Sequence, residues 1–488
     1  MVFKVPSIIK QFYNQLISNN FQAYLVGGCV RDILLKRKPK DWDIATNALP
    51  EEIQKIFPDS VYDNEFGTVR VKTGIDDETL KVIEITTFRK ESDYKDKRHP
   101  AKLIFTKNIE EDLMRRDFTI NALALNLNSK NKKAQLIDLF DGIKDLKNKI
   151  IKTVGNPNKR FGEDALRLMR GIRLATELDF SINEETQKAI KKNSGLLKMI
   201  SMERIRDEFI KIIMTDNAAQ GIIMLEDFGL LKFIIPELRN GIGCSQNKHH
   251  IYTVFEHNIK ALDYAAKKHY SLEVRLASLL HDVGKPNTKH GDGPNATFYN
   301  HEIVGAKLSA KILERLKFPK DVIQKVVLLV RYHLFYYNVG EVTEAGVRRF
   351  INRVGIENID DLLKVREADR IGSGVPKALP YRLRHLKFMI DKVRRDPISP
   401  KMLKIDGNDI MQILNINPGP AVGYILNILL EEILDDPSKN NKEYLQKKVQ
   451  QLGELSINDL ENLSRQAINK KLEFESGIES EMKKKFYV

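Results

Sequence analysis

Cysteine is almost missing: the 488 residues contain two, Cys29 and Cys244. Two thiols cannot build a disulfide framework or a Cys-rich zinc site, and they fit a reducing compartment. Long hydrophobic runs are missing as well. None approaches the ~20 residues needed to span a bilayer. The stretch from Met1 to Ser7 lacks the charged-then-apolar pattern of a secretory signal, and Lys10 interrupts the helical pattern beyond it. These absences predict a cytoplasmic protein with no membrane partner. Acidic residues are outnumbered, 66 against 80 basic ones, giving a formal charge of +14. Such an excess favours a polyanion, nucleic acid ahead of membrane, although an inert basic surface would have the same composition. Repeats and low-complexity tracts are absent too. At 42% hydrophobic and 30% charged, the chain is an ordinary globular one. Its length exceeds what one core supports and predicts three or four domains.

What is present begins at Tyr24–Asp32, YLVGGCVRD. Tyr24, Leu25 and Val26 read as a buried strand. Gly27 and Gly28 break it, and Cys29 to Leu35 reads as a helix start carrying Arg31. Strand, Gly-Gly turn and helix start together offer backbone N–H groups to a phosphate. Asp41-Trp42-Asp43-Ile44 reads as the next strand, with Asp41 and Asp43 on one face. Two neighbouring carboxylates repel unless a cation lies between them; a hard divalent ion that also holds nucleotide phosphates is the economical answer. Alone, Gly-Gly marks a turn and Asp-x-Asp two solvated charges. Both in order favour nucleotide and metal chemistry.

Residues 1–23 pattern as an amphipathic helix with Ile8, Ile9, Phe12, Leu16 and Ile17 in one stripe. Pro50 to Phe57 reads as a short helix and Val61 to Thr73 as strands. Leu80 to Phe88 is a strong strand whose alternation puts Glu84 beside Val82 and Thr86. Placed there among apolar neighbours, Glu84 either pairs with a cation or completes a metal site, and the favoured expectation is the third carboxylate of the Asp41/Asp43 cluster. The charged run Arg89 to Pro100 reads as a loop, a solvated charge run by default or, from its place directly after the Glu84 strand, one that touches substrate. Glu110 to Leu125 reads as helical, with Arg116 beside Asp117 and Asn121 on one face. Arg suits phosphate; Asp and Asn suit ribose hydroxyls or a base edge. Arg115 and Arg116 could equally pair with Glu111 and Asp112 on the surface. Arg160 to Arg173 reads as one helix with Asp164 and Arg167 three apart. They form either an ordinary ion pair or an acceptor and a bidentate donor for a base.

From His249 the chemistry changes. Seven of the ten histidines fall between His249 and His301, and His281-Asp282 ends an apolar helix. His257 lies in an earlier helix, His301 opens a later one, His333 follows an apolar run, and Asp369 sits in Glu-Ala-Asp-Arg. Such donors suit Mn²⁺, Fe²⁺, Ni²⁺, Zn²⁺ or Mg²⁺.

The motifs LVGGCVRD (25–32), DWDIAT (41–46), RRDFTIN (115–121) and EDALR (163–167), in this order, resemble the class II nucleotidyltransferases. That family comprises tRNA CCA-adding enzymes and bacterial poly(A) polymerases. The likeness covers about the first 240 residues. His257, His281, Asp282 and Asp369 resemble the pattern of HD phosphohydrolases, with His301 and His333 matching the histidines of members that hold a second metal. Residues 403–410 and 418–424 resemble the segment after the HD domain in multidomain CCA-adding enzymes.

The resemblance implies Mg²⁺ at Asp41 and Asp43, and a triphosphate held by Gly27, Gly28 and Arg31. It implies nucleotide contact by Arg116, Asp117 and Asn121. Asp164 and Arg167, with Arg170 and Arg173 on the same segment, would pair with incoming CTP or ATP. The loop around Lys95 to Pro100 matches the element linked to switching from C to A addition. The implied fold is α+β: a mixed-sheet nucleotidyltransferase head (1–150) and an all-helical neck and body for template and RNA binding (151–245). A helical HD domain (246–395) and a helical tail contacting tRNA (396–488) would follow. The implied partners are the tRNA acceptor end, CTP and ATP. The HD site would hold Ni²⁺, Mn²⁺, Fe²⁺ or Mg²⁺ for phosphatase or 2′,3′-cyclic phosphodiesterase chemistry. CC-only addition, A-only addition and poly(A) synthesis are the rivals within the class. An RNA-binding phosphohydrolase is the rival outside it. The oligomeric state, a homodimer among the options, is not fixed by the sequence.

Overall fold

The computed structural model describes residues 3–63, 67–91, 103–128, 134–247, 251–374, 377–394 and 396–467. The chain divides into two compact units, Met1–Pro236 and Glu237–Val488. The charged loop at Lys95 to Pro100, His249, His250 and the last residues of the tail lie outside the described residues.

Among the described residues up to Asp138, the first unit holds nine strands: β1 (Ala23–Val26), β2 (Asp43–Thr46), β3 (Ser60–Asp63), β4 (Thr68–Lys72), β5 (Val82–Thr87), β6 (Arg89–Glu91), β7 (Leu103–Phe105), β8 (Leu123–Asn126) and β9 (Gln135–Asp138). Seven form one sheet in the order β3-β4-β5-β2-β1-β8-β9, while β6 and β7 pair separately. Strands β2 and β5 are parallel and the other neighbours antiparallel, so the sheet is mixed as expected. One face of its middle strands is fully covered and accordingly apolar: Leu25, Ile44, Ile85 and Leu125, aligned by register, are fully buried. The Ser7–Ser18 helix buries Ile9, Phe12, Tyr13 and Leu16, with Ile8 and Ile17 only half-buried. Phe12 stacks on Phe57 at 4.9 Å, which fixes the Pro50–Ile56 helix beside it.

Two helices expected from sequence are broken. Glu110 to Leu125 is not one helix: the Ile109–Met114 helix stops, Thr119–Asn121 makes a 3₁₀ turn, and Leu123 enters β8. Asp117 accepts a hydrogen bond from the Phe118 amide at 2.9 Å, and Thr119 N–H bonds to Lys152 O at 2.9 Å. Side-chain capping plus pairing in the sheet outcompetes a helix that the local pattern allows. Arg160 to Arg173 is likewise split. The Pro157–Glu163 helix ends at Asp164, which is extended at φ −137°, and the next helix is Arg167–Leu178. Asp164 Oδ1 accepts from the Leu166 amide at 3.0 Å, a local turn that ends the first helix before the second begins. The rest of this unit is helical apart from the two-residue parallel pair of Ile150–Ile151 with Ser181–Ile182.

All named elements of the second unit are helices. The Val254–Lys267 helix, begun by a Thr253/Glu256 capping box, packs along Ile356–Gly372. Ala261, Ala265 and Ala368 form their shared core, small enough for close approach. At Gly372 a Cβ would lie 2.8 Å from His257 O, so glycine permits the crossing that brings His257 to Asp369. The same device recurs at Gly284, where a Cβ would lie 2.3 Å from His301 O and 2.6 Å from Gly305 N. That contact docks the His301–Arg315 helix against the turn after His281-Asp282. Farther on, Arg348 donates to Leu434 O at 2.7 Å and Arg349 to Glu431 at 2.6 Å, fixing the Pro420–Asp435 helix.

Candidate active sites

In the head, β1 delivers the chain to Gly27, whose φ of +75° is a left-handed value suited to glycine. A Cβ there would lie 3.0 Å from Arg116 Nη1 and 3.3 Å from Asp43 Oδ2; at Gly28 it would lie 3.7 Å from Arg31 Nη2 and 3.8 Å from Asp41 Oδ1. Residues as far apart in sequence as Gly27 and Arg116 thus meet around the Gly-Gly turn. Asp43 opens β2, whereas Asp41 precedes the strand; Trp42 between them is buried. The expected strand therefore begins two residues late, yet both carboxylates reach the turn. Burial, then the charges of Asp41 and Glu84, push the Asp43 carboxyl up to about 7, with Arg116 opposing them. A group held that far above its usual range marks a place where positive charge is wanted.

Glu84 is the direct β5 partner of Asp43 across the parallel pair. Its surroundings differ from expectation. Ile83, Ile85 and Thr87 face the core, so Glu84 stands on the open face and pairs with Arg70 at 3.2 Å. The alternation was right, but the pattern does not say which face is buried.

Behind the turn lies a network of fixed charges. Arg31 donates to Asn121 Oδ1 at 2.9 Å and pairs with Asp32 at 2.8 Å. Arg116 pairs with Asp112 at 3.2 Å, and its buried Nε has no hydrogen-bond partner among the described residues. Asp112 is not on the surface: it is buried, and it also pairs with Arg115 at 2.9 Å. Asp117 pairs with Arg170 at 2.7 Å. Burial alone would raise the Asp117 carboxyl, but the Arg170 and Arg167 guanidiniums hold it well below the usual range. Asp117 and Asn121 therefore serve different partners rather than one helix face. Asp164 and Arg167 do not pair with each other. Asp164 binds Arg204 at 3.2 Å, Arg167 binds Glu163 at 2.8 Å, and Arg173 binds Glu208 at 3.1 Å. Arg204 is forty residues from Asp164, so no local pattern could have announced it.

The second unit gathers six side chains from five segments. His257 Nε2 lies 2.8 Å from His281 Nε2, 3.1 Å from Asp282 Oδ2 and 3.3 Å from Asp369 Oδ1. Asp282 Oδ1 faces His301 Nε2 at 3.3 Å and His333 Nε2 at 3.6 Å. Among the described residues, His257/His281/Asp282 and Asp282/His301/His333 are the sets of three whose ligand atoms lie within 4.8 Å of one another. Nδ1 of His281, His301 and His333 faces a backbone carbonyl, at Ser278, Phe298 and Val330. In the neutral rings those Nδ1 atoms carry the protons, which leaves the converging Nε2 atoms as lone-pair donors. Burial alone would lower His281, yet Asp282 and Asp369 push it up to about 10. The donor set fits a divalent ion. Lys285, 2.6 Å from Asp282, and Arg366, 2.6 Å from Asp369, were not foreseen, although each sits three residues from its partner.

With both sites described, relatives can be placed beside them. Residues 23–152 match the profile of the poly A polymerase head domain, 179–242 that of an RNA and SrmB-binding site of polymerase A, and 296–449 that of tRNA nucleotidyltransferase domain 2. The class is a nucleotidyltransferase. A CCA-adding enzyme of Ligilactobacillus salivarius is 36% identical over 446 residues, spanning 90% of this chain and 94% of that one. An A-adding tRNA nucleotidyltransferase of Deinococcus radiodurans is 35% identical over 338 residues, 66% of this chain and 75% of that one. The crystal structure of the Bacillus stearothermophilus CCA-adding enzyme in complex with CTP superposes with a TM-score of 0.69 at 26% identity, covering 92% of this chain and 98% of that one. The chain belongs to the CCA-adding tRNA nucleotidyltransferase family. No helix among the described residues is long and apolar enough to cross a membrane.

Proposed function

We propose that this protein builds or repairs the 3′-terminal CCA of tRNA from CTP and ATP without a nucleic-acid template. The observation that carries this is the closure of Asp41, Asp43, Arg31 and Arg116 around the Gly27-Gly28 turn. Asp41 and Asp43, with Glu84 adjoining, would hold Mg²⁺. Bound there, Mg²⁺ supplies a lowered pKa for the RNA 3′-hydroxyl and neutralises charge on the departing pyrophosphate. Gly27 and Gly28 expose backbone to the triphosphate, and Arg31 and Arg116 bring fixed positive charge to it. Asn121 orients Arg31. Asp117 anchors Arg170. Asp164 as acceptor and Arg167 as donor would read the incoming base, held in place by Arg204 and Glu163. Arg173 lies on the same helix and adjoins this surface. The A-adding relative supports a second reading, in which the same residues complete tRNAs that already end in CC.

The histidine–aspartate cluster supports a second activity: metal-dependent hydrolysis of phosphate esters, including 2′,3′-cyclic phosphates left on damaged RNA ends. Ni²⁺, Mn²⁺, Fe²⁺ and Mg²⁺ all suit its donors. The two activities separate genetically. Asp43→Ala should abolish nucleotide addition and spare hydrolysis of p-nitrophenyl phosphate by Mn²⁺- or Ni²⁺-loaded protein, while Asp282→Ala should do the reverse. Hydrolysis indifferent to Asp282→Ala would contradict the assignment.

A further inference from the structure

The Tyr381–Val393 helix buries Leu383, Leu386, Ile390 and Val393, and its opposite face carries Tyr381, His385 and Phe388. These sit at i, i+4 and i+7, so they line one side. Tyr381 and Phe388 are each 61% exposed. The rings are evenly spaced: Tyr381 to His385 is 5.9 Å and His385 to Phe388 is 6.0 Å between centroids. Tyr337 from a neighbouring segment adds a fourth ring 5.9 Å from His385, to which its hydroxyl is hydrogen-bonded. Lone exposed aromatics are unremarkable, but here two exposed rings flank the half-buried His385 and Tyr337 in one contiguous aromatic patch. From Lys377 to Ile390 the sequence holds four basic residues and no acidic one. Tyr337 is only four residues past His333 of the metal cluster. At ~3.6 Å per residue, their Cα atoms lie within about 14 Å.

We propose that this face is a stacking platform for unpaired RNA nucleotides, which it presents to the histidine–aspartate cluster. Every base has a π-face, so such a row binds single strands with little sequence preference, and the flanking Arg382 and Arg384 meet the phosphates. The substrate of the cluster is then a single-stranded RNA end rather than a free small phosphate ester; this part rests on the phosphohydrolase reading above. A paired end would bind poorly, because its bases are already stacked within the duplex.

The test is photo-crosslinking of the full-length protein to a short unpaired RNA carrying 4-thiouridine, with mass-spectrometric mapping of the adducts. Adducts are expected on the peptide containing Tyr381 to Phe388, and a duplex of the same sequence should compete weakly. Tyr381→Ala with Phe388→Ala should remove them and weaken binding of that RNA by about tenfold per ring, whereas Tyr381→Phe should preserve both. Adducts confined to other regions, or equal competition by duplex, would overturn the proposal. So would an altered sedimentation coefficient in the double alanine variant without RNA adducts, which would assign the face to a second copy of the chain. Asp282→Ala should keep the adducts. Adducts without hydrolysis in any metal would leave the platform standing and end the phosphohydrolase reading; hydrolysis without adducts would do the opposite.

Discussion

Asp43 combines burial with two like-charged neighbours, and its carboxyl rises to about 7 in the metal-free protein. The folded value lies above the ordinary 3.8. The folded state therefore binds more protons than the unfolded one between these values, and this group's contribution to stability falls as pH rises through the window. Mg²⁺ must displace that proton. Its affinity, read by calorimetry, should rise up to tenfold per pH unit from about 5 to 7 and level off above. An affinity flat across that range would show that Asp43 is already ionised. Glu84 has an Arg70 partner and an open face, so its share in metal binding rests on adjacency to Asp43. Glu84→Gln should lower turnover as severely as Asp43→Asn; near-normal turnover would remove it from the site. Residue chemistry was the most legible level of the sequence. The six side chains of the histidine–aspartate cluster were named through the resemblance to HD phosphohydrolases, and the structure brings them together. Their cationic partners were not named, since Lys and Arg are everywhere in a chain with 80 of them.

At the scale of elements, β1, β2, β5 and the stretch holding β3 and β4 were anticipated, while β8 was taken as the end of a helix and the helices were over-extended. Central strands announce themselves through runs such as Val-Ile-Glu-Ile-Thr-Thr, β-branched and half-buried. The segments 110–125 and 160–173 carry helical spacing and were still cut, at Asp117 and Asp164. In both cases a short carboxylate captures a nearby amide and an arginine remote in sequence settles the break. Long-range pairing of that kind has no local signature. Two glycines define the second unit in the same way. Gly284→Ala would force a Cβ to within 2.3 Å of His301 O, so the His301–Arg315 helix must shift away from Asp282. Overpacking of this sort should cost about 1–3 kcal/mol in urea unfolding. It should weaken metal binding through His301 and His333 more than through His257 and His281. Wild-type unfolding and metal titration in this variant would contradict the close crossing.

At the scale of the molecule, the two compact units each hold one cluster, the carboxylates beside Gly27-Gly28 in Met1–Pro236 and the histidine–aspartate cluster in Glu237–Val488. The net charge of +14 suits a partner held by its phosphate backbone. Under the proposed function, recognition through the backbone and shape would tolerate every tRNA sequence and would leave Asp164 and Arg167 to choose the nucleotide added. That division is the central claim. It is tested most directly by giving the purified protein Mg²⁺ and tRNA transcripts ending before the tail, after C and after CC, with CTP, ATP or both, and sequencing the ends. Stepwise growth from every transcript to CCA, followed by arrest, is the predicted result. Addition of A to CC ends alone would select the A-adding reading, arrest at CC or long A tails the other rivals, and no addition to any transcript would contradict the account.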